Sequence, residues 1–245
     1  MRRFSLSIVV ATCCAVLVSS TAMADQFHDH GFNPNPVLFQ KDARPYGVDI
    51  ATWAERASQW VYGQPLESSP LFDPTGANCA VDQQGPVWYV ARIAGPPVFS
   101  GTRACTIPHQ KSILLYIGAV VDPYPCPAFP GFQPAPGQSL YDFLRADAAP
   151  IMDTVDLLEV SLDGQPLSDI LGYRYASDDL FTLTGDLSLQ GVLDPCITGS
   201  PQQAIVDGFF VIFKPLDPGL HTIVVHGTAT AFGNDKTFTY HLTIE

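Results

Sequence analysis

Three cations stand in surroundings where a folded chain rarely places one. Arg92 lies in Trp88-Tyr-Val-Ala-Arg-Ile93, Arg174 in Tyr173-Arg-Tyr175, and Lys214 closes Phe209-Phe-Val-Ile-Phe-Lys214. A charge inside an apolar run has three outlets. It pairs with a carboxylate, runs its stem along apolar surface to water, or points into a cavity where it can hold an anion. Glu159 and Asp207 are the carboxylates to look to for pairing. If the three cations converge on one face, that face is a binding surface. With Tyr173 and a histidine in the same groove it gains an acid and a base.

Three histidines, His221, His226 and His241, fall on or beside the last two long apolar runs. In an extended chain His226 shares a face with Thr222 and Val224, and His221 with Ile223 and Val225, so neighbourhood in sequence does not pair them. Each serves equally as a hydrogen-bond donor at a strand end. No G-x-S-x-G elbow, H-E-x-x-H helix or Gly-rich phosphate loop occurs in the chain, so no cofactor is expected. Metal chemistry also lacks a pattern. There is no C-x-x-C, and Asp73, Asp82, Asp122, Asp178, Asp179 and Asp194 do not follow the spacing of a calcium loop. His28 and His30 near the mature amino terminus have a copper-binding alternative only if the leader is cut one residue later than expected.

These side chains need elements to hold them. Behind Asp49 as N-cap, Ile50, Trp53, Ala54, Ala57, Trp60 and Val61 recur at helical spacing up to Gly63. Their two tryptophans are core, or else a platform for a sugar ring. A second helix starts at Ser139, with Asp142 placed as in a capping box and Pro150 breaking or kinking it. From Pro86 onward the pattern is short apolar runs bounded by Gly, Pro and Asp: 87–94, 112–121, 157–162, 180–184, 187–189, 209–214, 221–226 and 236–244. The last alternates, with Phe238, Tyr240, Leu242 and Ile244 on one side. Asp163-Gly164 and Pro218-Gly219 are tight-turn signals. Many short strands and one or two helices predict an all-β, disulfide-stabilised β-sandwich of jelly-roll or immunoglobulin-like type. A Pro-rich loop from Asp122 to Gly137 offers Tyr124, Phe129 and Phe132 as a site lining or as a rigid cover.

The chain begins with Arg2 and Arg3, an apolar stretch and Ala22-Met-Ala24, which predicts a secretory leader at 1–24 cleaved after Ala24. A lipidated Cys13 or Cys14 is the alternative. An extended arm at 25–47 and one sandwich domain at 48–245 follow, with no segment reaching the roughly 20 apolar residues of a membrane span. Without the leader, ten basic residues face 24 acidic ones, a charge of −14. Such a chain repels nucleic acid, whose phosphates need clustered Lys and Arg. Of six cysteines, Cys79, Cys105, Cys126 and Cys196 remain. In a secreted or periplasmic setting they predict two disulfides, paired in sequential order so that each closes a moderate loop.

Three blocks stand out in order: Asp73-Pro-Thr-Gly-Ala-Asn-Cys79 through Gln84-Gly-Pro-Val-Trp88, then Arg103-Ala-Cys-Thr-Ile-Pro108, then Asp207-Gly-Phe-Phe210 with Pro215-Leu-Asp-Pro-Gly-Leu-His-Thr-Ile223. In these the chain resembles an uncharacterised group of secreted microbial proteins. It departs from them at His109-Gln110 and at Tyr116-Ile117-Gly118. The resemblance implies one folded unit and says nothing of substrate.

In the first block Cys79 anchors a clasp and Gly85-Pro86 turns the corner into a strand. On that strand Val87, Tyr89, Ala91 and Ile93 share one face, and Trp88, Val90 and Arg92 the other. The amides of Gln83 and Gln84 satisfy backbone groups beside the corner. If Gln84, Trp88 and Arg92 line an open cavity, the clasp is also the wall of a site. The candidate ligand contacts are therefore Gln84, Trp88, Arg92, Tyr173, Arg174, Lys214 and His226. The expected function is non-catalytic binding of a carbohydrate, an envelope component or a partner protein. The alternative is a glycan-active hydrolase or lyase with a His/Tyr/Arg site in a jelly-roll groove.

Overall fold

The computed structural model describes residues 33–245. The expected leader, its cleavage point and the histidines at 28 and 30 lie outside the described residues. Two five-stranded sheets face each other. One, sheet A, is built from β1 (Val87–Ala91), β3 (Ser112–Tyr124), β8 (Gln202–Phe213) and β6 (Arg174–Ala176), with β7 (Phe181–Leu183) also on β8. The other, sheet B, runs in the order β2 (Val98–Ile107), β10 (Asn234–Ile244), β9 (Gly219–Ala229), β4 (Leu157–Leu162) and β5 (Gln165–Pro166). Pairing is antiparallel except between β1 and β3 and between β2 and β10. The fold is a disulfide-closed β-sandwich carrying two helices, α1 (Ile50–Gly63) and α2 (Leu140–Met152).

Hydrophobic patterning explains which sheet carries the helices. On β8 every residue from Ala204 to Phe213 is buried, because one face meets sheet B and the other meets helices. A strand covered on both sides needs a continuous apolar run. β10 alternates instead, with Phe238, Tyr240, Leu242 and Ile244 buried in the inter-sheet core and its other face toward water. Against the outer face of sheet A, α1 buries Ile50, Trp53, Ala54, Ala57, Trp60 and Val61, and α2 buries Leu144 and Ala148 over Ile205.

Local signals act where the sequence puts them. Asp49 accepts the Thr52 amide at 2.8 Å at the start of α1, and Ser139 accepts that of Asp142 at 3.0 Å at the start of α2. Pro150 sits in the last turn of α2, which ends two residues later. Asp163 and Gly164, both at positive φ, turn β4 into β5. The disulfides pair Cys79 with Cys105 and Cys126 with Cys196, in sequential order.

Several boundaries differ from expectation. The run at 187–189 is a turn of 3-10 helix, capped by Asp186 on the Ser188 amide. β1 stops at Ala91, so Ile93 leaves the face of Tyr89 and enters the inter-sheet core. β8 starts seven residues before Phe209. β2 carries no apolar signal because its inward positions include Gly101 and Arg103. Within the described part of the arm, Leu38 is fully buried and bridges Phe213, while Asn35 exchanges hydrogen bonds with Ser168.

Candidate functional site

The charged candidates are dispersed over different surfaces. Arg174 lies between sheet A and α2. Its Nε is 2.7 Å from Asp207 Oδ1, its Nη2 is 2.9 Å from Asp207 Oδ2, and it also reaches Asp153 and the Ala149 carbonyl. Asp207 is 1% exposed and takes a further bond from Arg145 at 3.2 Å. Hydrogen bonding to Asp207 holds the guanidinium pKa above its usual value. Tyr173 points the other way, into the inter-sheet core, where its hydroxyl meets Asn35 at 3.4 Å. Lys214 donates to the Pro36 carbonyl at 2.8 Å and fastens the amino-terminal segment to the end of β8.

His226 stands on the outer face of sheet B, 3.0 Å from Asp235 and 3.4 Å from Glu159. The bond to Asp235 raises its pKa, burial works against the rise and Glu159 adds to it. The Tyr173, Arg174 and histidine constellation is thus not assembled: Tyr173 ends a 3-10 turn and faces the core, Arg174 opens β6 and faces α2, and His226 stands on the other sheet. His221 is bound to Asp163 at 2.7 Å, and His241 to Thr222 at 3.3 Å. Trp53 and Trp60 are buried, each donating its indole N–H to a backbone carbonyl.

In the clasp the two glutamines part company. The Gln83 amide behaves as a stand-in peptide on the open edge of β1, accepting the Tyr89 N–H at 2.9 Å and donating to the Tyr89 carbonyl at 2.8 Å. Gln84 is exposed. Arg103, which no apolar run in the sequence marks out, is bound to the segments on either side of the two glutamines. It is 1% exposed and donates to the carbonyls of Ala91 and Asp73. The Asp73 carboxylate gathers the N–H groups of Thr75, Gly76 and Asn78. Burial acts to raise its pKa, but these bonds outweigh burial and hold it below the usual value. Gly76 is required here, since a Cβ would lie 1.8 Å from the Ala104 carbonyl oxygen. Asp73 is therefore a turn anchor, with its oxygens already occupied.

Only Arg92 of the Gln84, Trp88 and Arg92 set reaches a cavity. Trp88 is buried in the inter-sheet core, its Nε1 without a partner. The cavity, about 220 Å³, opens at the end of the sandwich where α2 gives out. Sheet A contributes Ile117, Gly118, Ala119 and Phe209, Arg92 enters from just past the end of β1, and sheet B contributes Leu158, Val225, Gly227, Lys236 and Phe238. Ile151 and Phe232 flank it, both large apolar side chains left exposed.

Two features leave space between the sheets here. The register of β3 against β8 slips between Tyr116 and Gly118, and small residues face one another at Gly118, Ala119, Gly227 and Ala229. A Cβ built on Gly118 meets nothing within 4 Å. Lys236 shares the lining and donates to the Gly95 carbonyl at 3.3 Å. Burial first, and then the Arg92 charge, push its pKa below the ordinary value. No carboxylate lines the cavity. A glycine inside an apolar strand signals a bulge, and counting back from Phe238 puts Lys236 on the inner face. Both signals were available in the sequence.

Two other hollows are shallower in chemistry. A groove of about 500 Å³ runs outside sheet B past Glu159, Asp169, Leu171 and His226, where the histidine is already held by carboxylates. A pocket of about 170 Å³ lies in the Pro-rich loop between Tyr124, Phe129 and Phe132, the last packed on Phe143 with ring centres 4.6 Å apart. Among the described residues no cluster of three or more His, Cys, Asp or Glu could hold a metal ion. No helix among them is long and apolar enough to cross a membrane.

Fold and cleft together define a disulfide-closed two-sheet sandwich with an apolar end cleft edged by cations. No protein-family model matches the chain, and no curated protein does. Two solved chains are similar at low level. One comes from the structure of PbICP-C in complex with falcipain-2, at 10% identity, covering 66% of this chain and 100% of that one, with a TM-score of 0.24. The other is the solution structure of Amebosin, at 15% identity, 62% and 100% coverage, with a TM-score of 0.19. Likeness at these scores carries no argument about function.

Proposed function

We propose that this is a secreted or periplasmic, non-catalytic binding protein whose ligand is an apolar envelope component held in the cleft between the sheets. The carrying observation is the cleft itself: apolar walls from both sheets and α2, exposed Ile151 and Phe232 at its mouth, and Arg92 on its lining. Enclosed apolar space with a few polar groups is the usual form of a small-molecule site. Secretion is supported by the basic and apolar start of the chain and by two disulfides, which persist in oxidising compartments. A glycan-active enzyme draws less support, because Arg174, Tyr173 and His226 occupy three separate surfaces and each is engaged.

The test is a panel of glycans and envelope lipid extract offered to the full chain, with recovery and chemical analysis of what is retained. Retention of a lipid, unaltered, is the expected result. A chemically changed product, or glycan retention without lipid retention, would overturn the reading.

A further inference from the structure

Arg92 differs from every other lysine and arginine among the described residues. The remaining lysines and arginines each donate to an oxygen or lie over an aromatic ring. Arg92 makes no hydrogen bond and no ion pair among the described residues, in a chain with 24 acidic residues to draw on and only 12 basic ones. A guanidinium with five unused donors, on an apolar wall without a carboxylate, lacks the planar anion that its geometry fits best.

We propose that the cleft takes a single-chain amphiphilic anion, an acyl chain ending in a carboxylate, with the chain between the sheets and the carboxylate on Arg92. The inference rests on the cleft being the ligand site. Its head group is set by the guanidinium fork, which grips a carboxylate through two parallel bonds. Lys236 supplies the second charge, because its bond to Gly95 uses one of three ammonium protons. The chain is set by Ile117, Phe209, Leu158, Val225 and Phe238, which offer hydrocarbon and no acceptor.

Size follows from packing. An apolar cavity of about 150 Å³ holds one benzene, so the same density in this cleft accommodates about eight or nine carbons. The bulge and Gly118 are what leave that room, and a leucine there would fill it without meeting other atoms at its Cβ.

Calorimetric titration of the full chain with decanoate, decanol and acetate tests this. Decanoate is expected to bind at least about tenfold more tightly than decanol, the worth of a charge-assisted bond, and acetate not at all. In a series from hexanoate to tetradecanoate, affinity should rise about fourfold per methylene and level off once the cleft is full, near nine carbons. R92Q should erase the preference for decanoate over decanol while leaving decanol binding intact, and G118L should abolish both with its melting temperature preserved. Equal affinity for decanoate and decanol, or an R92Q variant that keeps the preference, overturns the anionic ligand while the cleft stands as an apolar site. If no chain binds the wild-type protein, both the ligand class and the cleft reading fall. If G118L unfolds, the chain-length series decides alone, and affinity that climbs without a plateau overturns the inference.

Discussion

Arg174 and Asp207 meet edge to edge on sheet A, with Nε 2.7 Å from Oδ1 and Nη2 2.9 Å from Oδ2. The pair is the peg on which α2 hangs, since the same guanidinium reaches the Ala149 carbonyl and the Asp153 carboxylate at the end of the helix. Because α2 ends at the cleft, the pair also fixes one wall of the proposed site. Removing Asp207 leaves Arg174 only Asp153 and the Ala149 carbonyl and takes the carboxylate partner from Arg145. Asp207→Ala is expected to cost about 2–3 kcal/mol, which urea unfolding would measure. Arg174→Lys in the otherwise wild-type chain should also destabilise, because an ammonium cannot make the two parallel bonds to Asp207. A cost below about 1 kcal/mol would mean that the pair does not hold the helix.

Gln83 and Gln84 are adjacent and chemically identical, yet only Gln83 closes the edge of β1. Gln83→Ala leaves the Tyr89 N–H and carbonyl unpaired and should destabilise by about 1–3 kcal/mol. Gln84→Ala should fall within about 0.5 kcal/mol of wild type. Chemical denaturation of the two variants side by side checks the contrast, and equal effects would refute it.

Asp122, on β3, has a buried Oδ2 without a partner, and burial, followed by the charges of Asp147 and Asp194, pushes its pKa up to about 7. The folded state thus holds a proton that the unfolded chain has released above pH 4 or so. Stability should fall as pH rises from about 4 to about 7, by on the order of 3 kcal/mol, and level off beyond. Melting curves across that range should lose this component in Asp122→Asn. A variant with an unchanged pH slope would show that Asp122 is ionised throughout.

The disulfides close unequal loops, 26 residues for Cys79–Cys105 and 70 for Cys126–Cys196. Loop entropy in the unfolded chain gives the first about 3–4 kcal/mol and the second about 4–5 kcal/mol. Replacing each pair by serine should therefore cost more for the longer loop, read as denaturation midpoints at equal m-values. The reverse order would indicate that the clasp around Asp73 and Arg103 depends on its disulfide for more than entropy.

The architecture was legible because it rests on patterns that burial imposes locally. Alternation along β10, the helical spacing behind Asp49 and the Asp163-Gly164 turn all respond to neighbours a few residues away, so the sequence carries them directly. β2 escaped because Arg103 and Gly101 occupy inward positions, and an inward arginine is tolerable only once Ala91 and Asp73 present carbonyls to it from other segments.

The fate of each cation was likewise a tertiary matter. Arg92, Arg174 and Lys214 read alike in their apolar runs, and what separates them is distant in sequence: Asp207 lies 33 residues beyond Arg174, and the Pro36 carbonyl 178 residues before Lys214. Sequence determined that such charges must find a partner or a cavity, because an unpaired charge in an apolar environment is costly. Only the packing of the two sheets decided that Arg174 and Lys214 are satisfied within the chain and that Arg92 is left facing a cleft.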